Sequence, residues 1–165
     1  MREDYRVKKN RKIITHNRFN AENGFLVPII DCKDGFLNEE EFPHQVYMTV
    51  VAPGEIKGPH YHKRRYAMYT CIQGNIKVVL KIDGRYETLY SGEDHDYATL
   101  WIRAGIPTAV INLEQGRPSL IINMPNPSFL ETPDDDADVE FDPTMLDPRQ
   151  STESQADNTL TKEIQ

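Results

Sequence analysis

Residues 53–74 read PGEIKGPHYHKRRYAMYTCIQG, and the fold is decided there. Five residues separate Gly54 from His60, His62 follows one residue later, and Gly74 stands twelve positions beyond His62. Alternate side chains of a β-strand point to one face, so an H-x-H pair on a strand aims two imidazoles into the same space. Two rings converging this way serve either as metal ligands or as acid–base groups.

Outward from that stretch, strand follows strand. QVYMTVVAP (45–53), AMYTCIQ (67–73), IKVVLKI (76–82), RYETLYS (85–91), TLWIRA (99–104), TAVINL (108–113) and SLIINMP (119–125) are short and rich in β-branched and aromatic residues. Turn signals separate them. Asp83-Gly84 is the sharpest, because this pair tolerates the positive φ of a type I′ hairpin. No sustained 3.6-residue apolar period interrupts the pattern before residue 130. The expectation is an all-β sandwich or small barrel, with KIITH (12–16) and FLVPII (25–30) as further strands.

Length and composition bound the rest. The 165 residues suit one domain with a single sizeable core. No apolar run is long enough to span a membrane, and MREDYRVKKNRK lacks the apolar region of a secretory signal. The cysteines, Cys32 and Cys71, form neither a disulfide framework nor a CxxC site, so a reduced, cytoplasmic protein is expected. Cys71, in an apolar strand, reads as an inert thiol. The net charge of −7 is unevenly spread: eleven of the 26 acidic residues but two of the 19 basic ones lie from Glu131 onward. The expected organisation is a folded unit over residues 1–130, including an N-terminal arm, and an acidic, Pro-containing, partly disordered tail over 131–165. The basic N-terminal run lacks a nucleic-acid recognition motif and reads as an ordinary charged strand or arm.

The quoted stretch resembles the first cupin motif, G-x5-H-x-H-x(3,4)-E-x6-G, through Gly54, His60, His62 and Gly74. A second cupin motif, G-x5-P-x-G-x2-H-x3-N, is echoed at Gly105 and Asn112. The resemblance implies a cupin (RmlC-like) jelly roll. It departs from the metal-binding members at two ligand positions, where Ala67 and Thr108 stand in place of glutamate and histidine. Two imidazoles alone leave a transition metal short of ligands, so no metal is expected. His60 and His62 would be ligands only if a metal-dependent alternative held, with His16, His44, His95 or a glutamate completing the set, none of them at family spacing.

Within the cupins, Lys57-Gly58-Pro59-His60-Tyr61-His62 is similar to the R-G-L-H-Y-Q signature of dTDP-4-dehydrorhamnose 3,5-epimerases. It is also similar to the R-G-x-H-A-H-K signature of dTDP-4-keto-6-deoxyglucose 3,4-ketoisomerases, which His62-Lys63 favours. The likeness implies a nucleotide-sugar isomerase or epimerase of deoxysugar and polysaccharide biosynthesis, needing no cofactor. By position, His60 would be the main base and His62 the second ring. Tyr47 and Tyr69 would supply a hydroxyl. Lys57, with Arg64, Arg65 or Arg103, would hold the diphosphate of the nucleotide-sugar substrate. Histidine titrates near neutral pH, and an enolate oxygen needs donors aimed at it beforehand, so these residue types suit proton transfer beside a ketone. The resemblance also implies a homodimer exchanging N-terminal strands. Two rival readings are a metal-dependent cupin enzyme, such as a dioxygenase or isomerase, and a non-catalytic sugar-binding cupin.

Overall fold

The computed structural model describes residues 3–149. The strands follow in the order β1 (Tyr5–Lys8), β2 (Ile13–His16), β3 (Glu22–Leu26), β4 (Tyr47–Val51), β5 (Ile56–His62), β6 (Ala67–Gln73), β7 (Asn75–Ile82), β8 (Arg85–Gly92), β9 (Thr99–Ile102), β10 (Thr108–Asn112), β11 (Ser119–Asn123) and β12 (Asp136–Asp138). Helical structure among the described residues is confined to two short 3-10 turns, Glu39–Glu41 and Pro143–Leu146. Two antiparallel five-stranded sheets, ordered β1-β9-β6-β11-β4 and β12-β5-β10-β7-β8, make the sandwich, and β2 and β3 pair as a separate hairpin.

The period-two pattern of the sequence becomes the core. Ala67, Tyr69, Cys71, Leu100, Ile102 and Ile121 of the first sheet meet Ile76, Val78, Leu80 and Val110 of the second, all buried. Both outer faces are partly covered. Met68, Trp101 and Met124 lie under Leu37, Ile29, Ile30 and Phe36, while Val79, Ala109 and Ile111 lie under Phe141 and Met145. Cys71 is fully buried, and that burial pushes its thiol up to about 12, in keeping with an inert side chain. At the β7–β8 hairpin Ile82 pairs with Arg85, and Asp83 and Gly84 take φ of 49° and 77°, the turn expected of Asp-Gly. The basic run at the N-terminus supplies β1, which lines up antiparallel to β9.

The segment after residue 130 departs from expectation. It is largely irregular, but Asp136–Asp138 pairs with β5 as an edge strand of the second sheet, and Asp135 is only 3% exposed. Phe141 and Met145 are buried on that sheet's outer face. The folded unit therefore runs beyond residue 130, because two apolar side chains and one strand's hydrogen bonds tie the acidic segment down. Residues 150–165, including those expected to be frayed, lie outside the described residues.

Candidate active site

The two histidines reach their positions through β5 and an irregularity within it. Thr108 of β10 stands opposite His60 and Val110 opposite Lys57, so three steps on β5 match two on β10. The extra residue is taken up at Gly58, whose φ is +83° and whose missing Cβ would lie 2.7 Å from the Thr108 carbonyl oxygen. The bulge reverses the alternation, so Lys57 joins His60 and His62 on one face. The imidazole centroids are 5.2 Å apart, edge to face.

All three residues line a cavity of about 140 Å³ between the sheets. The facing wall comes from the first sheet. Asn123 of β11 stands between Tyr47 on β4 and Tyr69 on β6, so the three form one row across the sheet. Thr49, Val110, Ile121, Arg65, Phe129 and Asp136 complete the lining. Asn123 donates to Thr49 Oγ1 at 2.7 Å. Phe129 packs on Tyr47 with centroids 4.8 Å apart and its backbone N–H donates to Gln45 Oε1. Tyr47 and Thr49 thus face the site, as alternation along that strand suggests, while Gln45 stands behind Phe129 and outside the lining.

Asp136, placed from the sequence in the acidic, partly disordered tail, is the principal addition. It stands directly across from His62 in the β12–β5 register. His62 Nδ1 lies 2.5 Å from Asp136 Oδ1, and Arg65 Nη2 lies 3.0 Å from the same oxygen. Burial, and next the Arg65 charge, hold the His62 pKa below its usual value, while Asp136 works in the opposite sense. His62 is therefore poised neutral. Burial raises the pKa of both Tyr69 and Tyr47, which keeps the two hydroxyls protonated as donors.

The expected anion-binding residues separate into two groups. Lys57 faces the cavity and is exposed toward its mouth. Arg65 lines the cavity but is 2% exposed and already bonded to Thr132 and Asp136. Arg64 is absent from the cavity wall; its side chain is 60% exposed and turned toward Asp135. Arg103 reaches a small void beside His60, His62, Ala67 and Thr108, yet its guanidinium pairs with Asp4 at 2.5 Å. The structure thus brings together His60, His62, Tyr47, Tyr69, Lys57 and Arg65, leaves Arg64 outside and engages Arg103 elsewhere.

Ala67 and Thr108, the departures from the cupin metal set, both border that void, and the Thr108 hydroxyl donates to the Ile106 carbonyl. Among the described residues no group of three or more His, Cys, Asp or Glu side chains is arranged to hold a metal ion. His16 lies on the β2–β3 hairpin, His44 pairs with Glu131 and His95 stacks on Tyr90, all away from the cavity lining. A larger open cleft of about 1070 Å³ lies on the outer side of the first sheet, along Arg6, Phe36, Tyr66 and Trp101. It holds no histidine, and its Arg6 and Arg103 are ion-paired with Glu41 and Asp4. The smaller cavity is where acid–base groups converge.

Two stacked antiparallel sheets enclosing an H-x-H pair define a cupin-type jelly roll of the RmlC-like kind. The family described as "FdtA: WxcM-like, C-terminal" matches residues 9–134, and the chain belongs to that family. No curated protein sequence matches the chain. Among solved structures, the fold is similar to a dTDP sugar isomerase from Desulfovibrio desulfuricans G20, with a TM-score of 0.68 and 18% identity over 87% of this chain and 88% of that one. It is similar to QdtA, a sugar 3,4-ketoisomerase from Thermoanaerobacterium thermosaccharolyticum in complex with TDP, with a TM-score of 0.60 and 20% identity over 83% and 89%. It also resembles a dTDP-4-dehydrorhamnose 3,5-epimerase from Bacillus anthracis with TDP and PPi bound, with a TM-score of 0.67 and 17% identity over 87% and 83%. No helix among the described residues is long and apolar enough to cross a membrane.

Proposed function

We propose that this chain is an isomerase or epimerase acting on a nucleotide-linked 4-keto-6-deoxy sugar, by proton transfer through an enolate and without a metal, in deoxysugar biosynthesis in the cytoplasm. The observation that carries this reading is the His62–Asp136 pair facing Tyr69 across a cavity sized for a sugar ring. Family membership and the nucleotide-sugar enzymes among the similar folds support the substrate class.

A proton on carbon beside a ketone needs a neutral base, and the developing oxygen needs a donor that is already in place. His62 is half-buried, held neutral and backed by a carboxylate, so its free nitrogen serves as the base. Tyr69, from the opposite sheet, donates to the oxygen on which charge develops. His62 passes that proton to solvent, and His60, beside it on the same strand and protonated from solvent, delivers one at the neighbouring carbon. This arrangement exchanges the roles that position along the sequence suggests for the two histidines. The cavity has room for the sugar and none for a nucleoside diphosphate as well, so the diphosphate lies at the mouth, within reach of Lys57.

The surface supports a homodimer. β4 is the edge of its sheet, and its outward Met48 and Val50, with Val46 just before it, are exposed, as are Ile13, Ile14, Phe25 and Leu26 of the β2–β3 hairpin. A second copy would cover both. Light scattering on the purified chain distinguishes dimer from monomer.

The reaction is tested by incubation with dTDP-4-keto-6-deoxyglucose in D2O, with label located by NMR. Deuterium at C3, C5 or a new carbonyl neighbour is expected. His62→Asn should slow its incorporation by about 10²–10⁴-fold, the usual worth of a positioned base. Tight binding without label would instead identify a sugar-binding protein.

A further inference from the structure

We propose that Arg65 is a positioning residue: its guanidinium clamps the Asp136 carboxylate against His62, so that the ring carries its hydrogen on Nδ1 and turns a bare Nε2 to the cavity. The catalytic consequence rests on the reaction proposed above; the tautomer does not.

The geometry around Nδ1 decides the assignment. That nitrogen lies 2.5 Å from Asp136 Oδ1 and 3.0 Å from Arg65 Nη2. It has one in-plane position, filled either by a hydrogen or by a lone pair, and cannot serve both neighbours. A lone pair there would accept from Arg65 but face a carboxylate oxygen at 2.5 Å, which is repulsive unless that carboxyl is protonated. A guanidinium 3.0 Å from Oδ1 opposes such protonation. The consistent arrangement has Nδ1–H donating to Oδ1 while Arg65 Nη2 donates to the same oxygen. Nε2 is then left with its lone pair.

Arg65 is built for this task rather than for meeting a ligand. It is 2% exposed, Nη1 donates to Thr132 Oγ1 at 3.2 Å, and the guanidinium lies 4.3 Å from the Phe129 ring centroid. Asp136 by contrast has a side chain 63% exposed, which would sample several rotamers without a fixed donor. The neighbouring aspartate strengthens the clamp from the backbone side. Asp135 accepts from the Arg64 and Arg65 amides at 2.9 and 3.0 Å, tying the turn after β5 to the strand that carries Asp136. The family match ends at residue 134, so both aspartates stand on this chain's own geometry.

The groups facing His62 are Arg65 and Asp136, His60 and Lys57 on its own strand, Tyr69 and Tyr47 from the first sheet, and Arg103 across the small void. Of the charged ones, Arg65 disfavours a second proton on the ring and Asp136 favours it. Removing each should therefore move the ring's titration in opposite directions. A merely structural role would not produce that pattern.

The test is long-range 1H–15N correlation on the full chain labelled with 15N-histidine, recorded across pH. In the unaltered protein, neutral His62 should show a protonated Nδ1 and a bare Nε2, a reading that needs no variant. Arg65→Met should move its midpoint up by about one pH unit, Arg65→Lys should restore most of the shift, and Asp136→Asn should move it down. A protonated Nε2 in the unaltered protein, or midpoints moving together in the Met and Asn variants, overturns the clamp. The same series in the D2O assay separates the two readings. The expected tautomer without deuterium label leaves the clamp standing and removes the isomerase. Label with the opposite tautomer removes the clamp alone.

Discussion

His62 and Asp136 occupy directly opposed positions on the antiparallel strands β5 and β12, and their side chains meet at 2.5 Å through Nδ1 and Oδ1. The histidine we propose as base and the carboxylate beside it are thus fixed by one register pair, although 74 residues separate them along the chain. Backbone pairing at the edge of a sheet is thus what sets this contact.

Tyr69 is 8% exposed, and its ring packs in the core while its hydroxyl reaches the cavity. Tyr69→Phe keeps the ring and removes only the donor. We expect kcat to fall by about 10²–10³-fold, the usual loss for one donor to a developing oxyanion, with little change in Tm. Steady-state kinetics and thermal melting on the same preparation check this. Unchanged kcat would give the donor's role to Tyr47.

The depressed pKa of His62 has a consequence for stability, with a defined sign. Burial comes first among the causes, then the charge of Arg65. Between the folded and unfolded pKa values the unfolded chain binds the additional proton, so stability rises with pH through that window. The contribution is complete above the ordinary histidine value of about 6.5 and is lost as pH falls through the lower folded value. Melting curves from pH 7.5 to 5 should show Tm falling further in the unaltered protein than in His62→Asn, which has no ring to titrate. Parallel curves would count against it.

Asp135 holds the turn after β5 by accepting two backbone amides while only 3% exposed. Asp135→Ala leaves those donors without partners, at a cost of about 1–3 kcal/mol. Chemical denaturation should show that loss. Amide hydrogen exchange should show faster opening at residues 63–66 than in the hairpin joining β7 and β8.

Gly58 takes up the bulge that brings Lys57 to the histidine face. Gly58→Ala places a methyl group 2.7 Å from the Thr108 carbonyl oxygen at a φ of +83°. A destabilisation of about 1–3 kcal/mol is expected. KM for the nucleotide sugar should rise as Lys57 is displaced. A rise in KM larger than any fall in kcat would connect the bulge to diphosphate binding.

Much of the fold was legible in the strands because their apolar residues alternate and Asp-Gly marks a hairpin. The H-x-H pair was legible for the same reason: one strand's period aims both rings one way. Lys57, expected at the diphosphate, lines the cavity through a bulge that offsets the period and that no alternation could indicate. Arg65 and Asp136 were harder. Each sits in a run of like charge, Lys63-Arg64-Arg65 and Asp134-Asp135-Asp136, and such a run ordinarily marks solvent. Only pairing of β5 with β12 brings the runs together, so that buried Arg65 meets Asp136 at the cavity's edge. Asn123 had a fainter signal, as the polar residue in the inward series Ser119, Ile121, Asn123.

The cavity straddles the seam between the sheets, with histidines on one side and tyrosines on the other, and Val110 and Ile121 belong both to its wall and to the hydrophobic core. Core volume is therefore a ruler for reach. A methylene added or removed at either position changes how far the two banks stand apart, and with that the span a proton and its accompanying donor must cover. Packing and the cavity share the same atoms, so variation that fits this scaffold to a larger or smaller ligand would be found among its aliphatic residues as readily as among its polar ones.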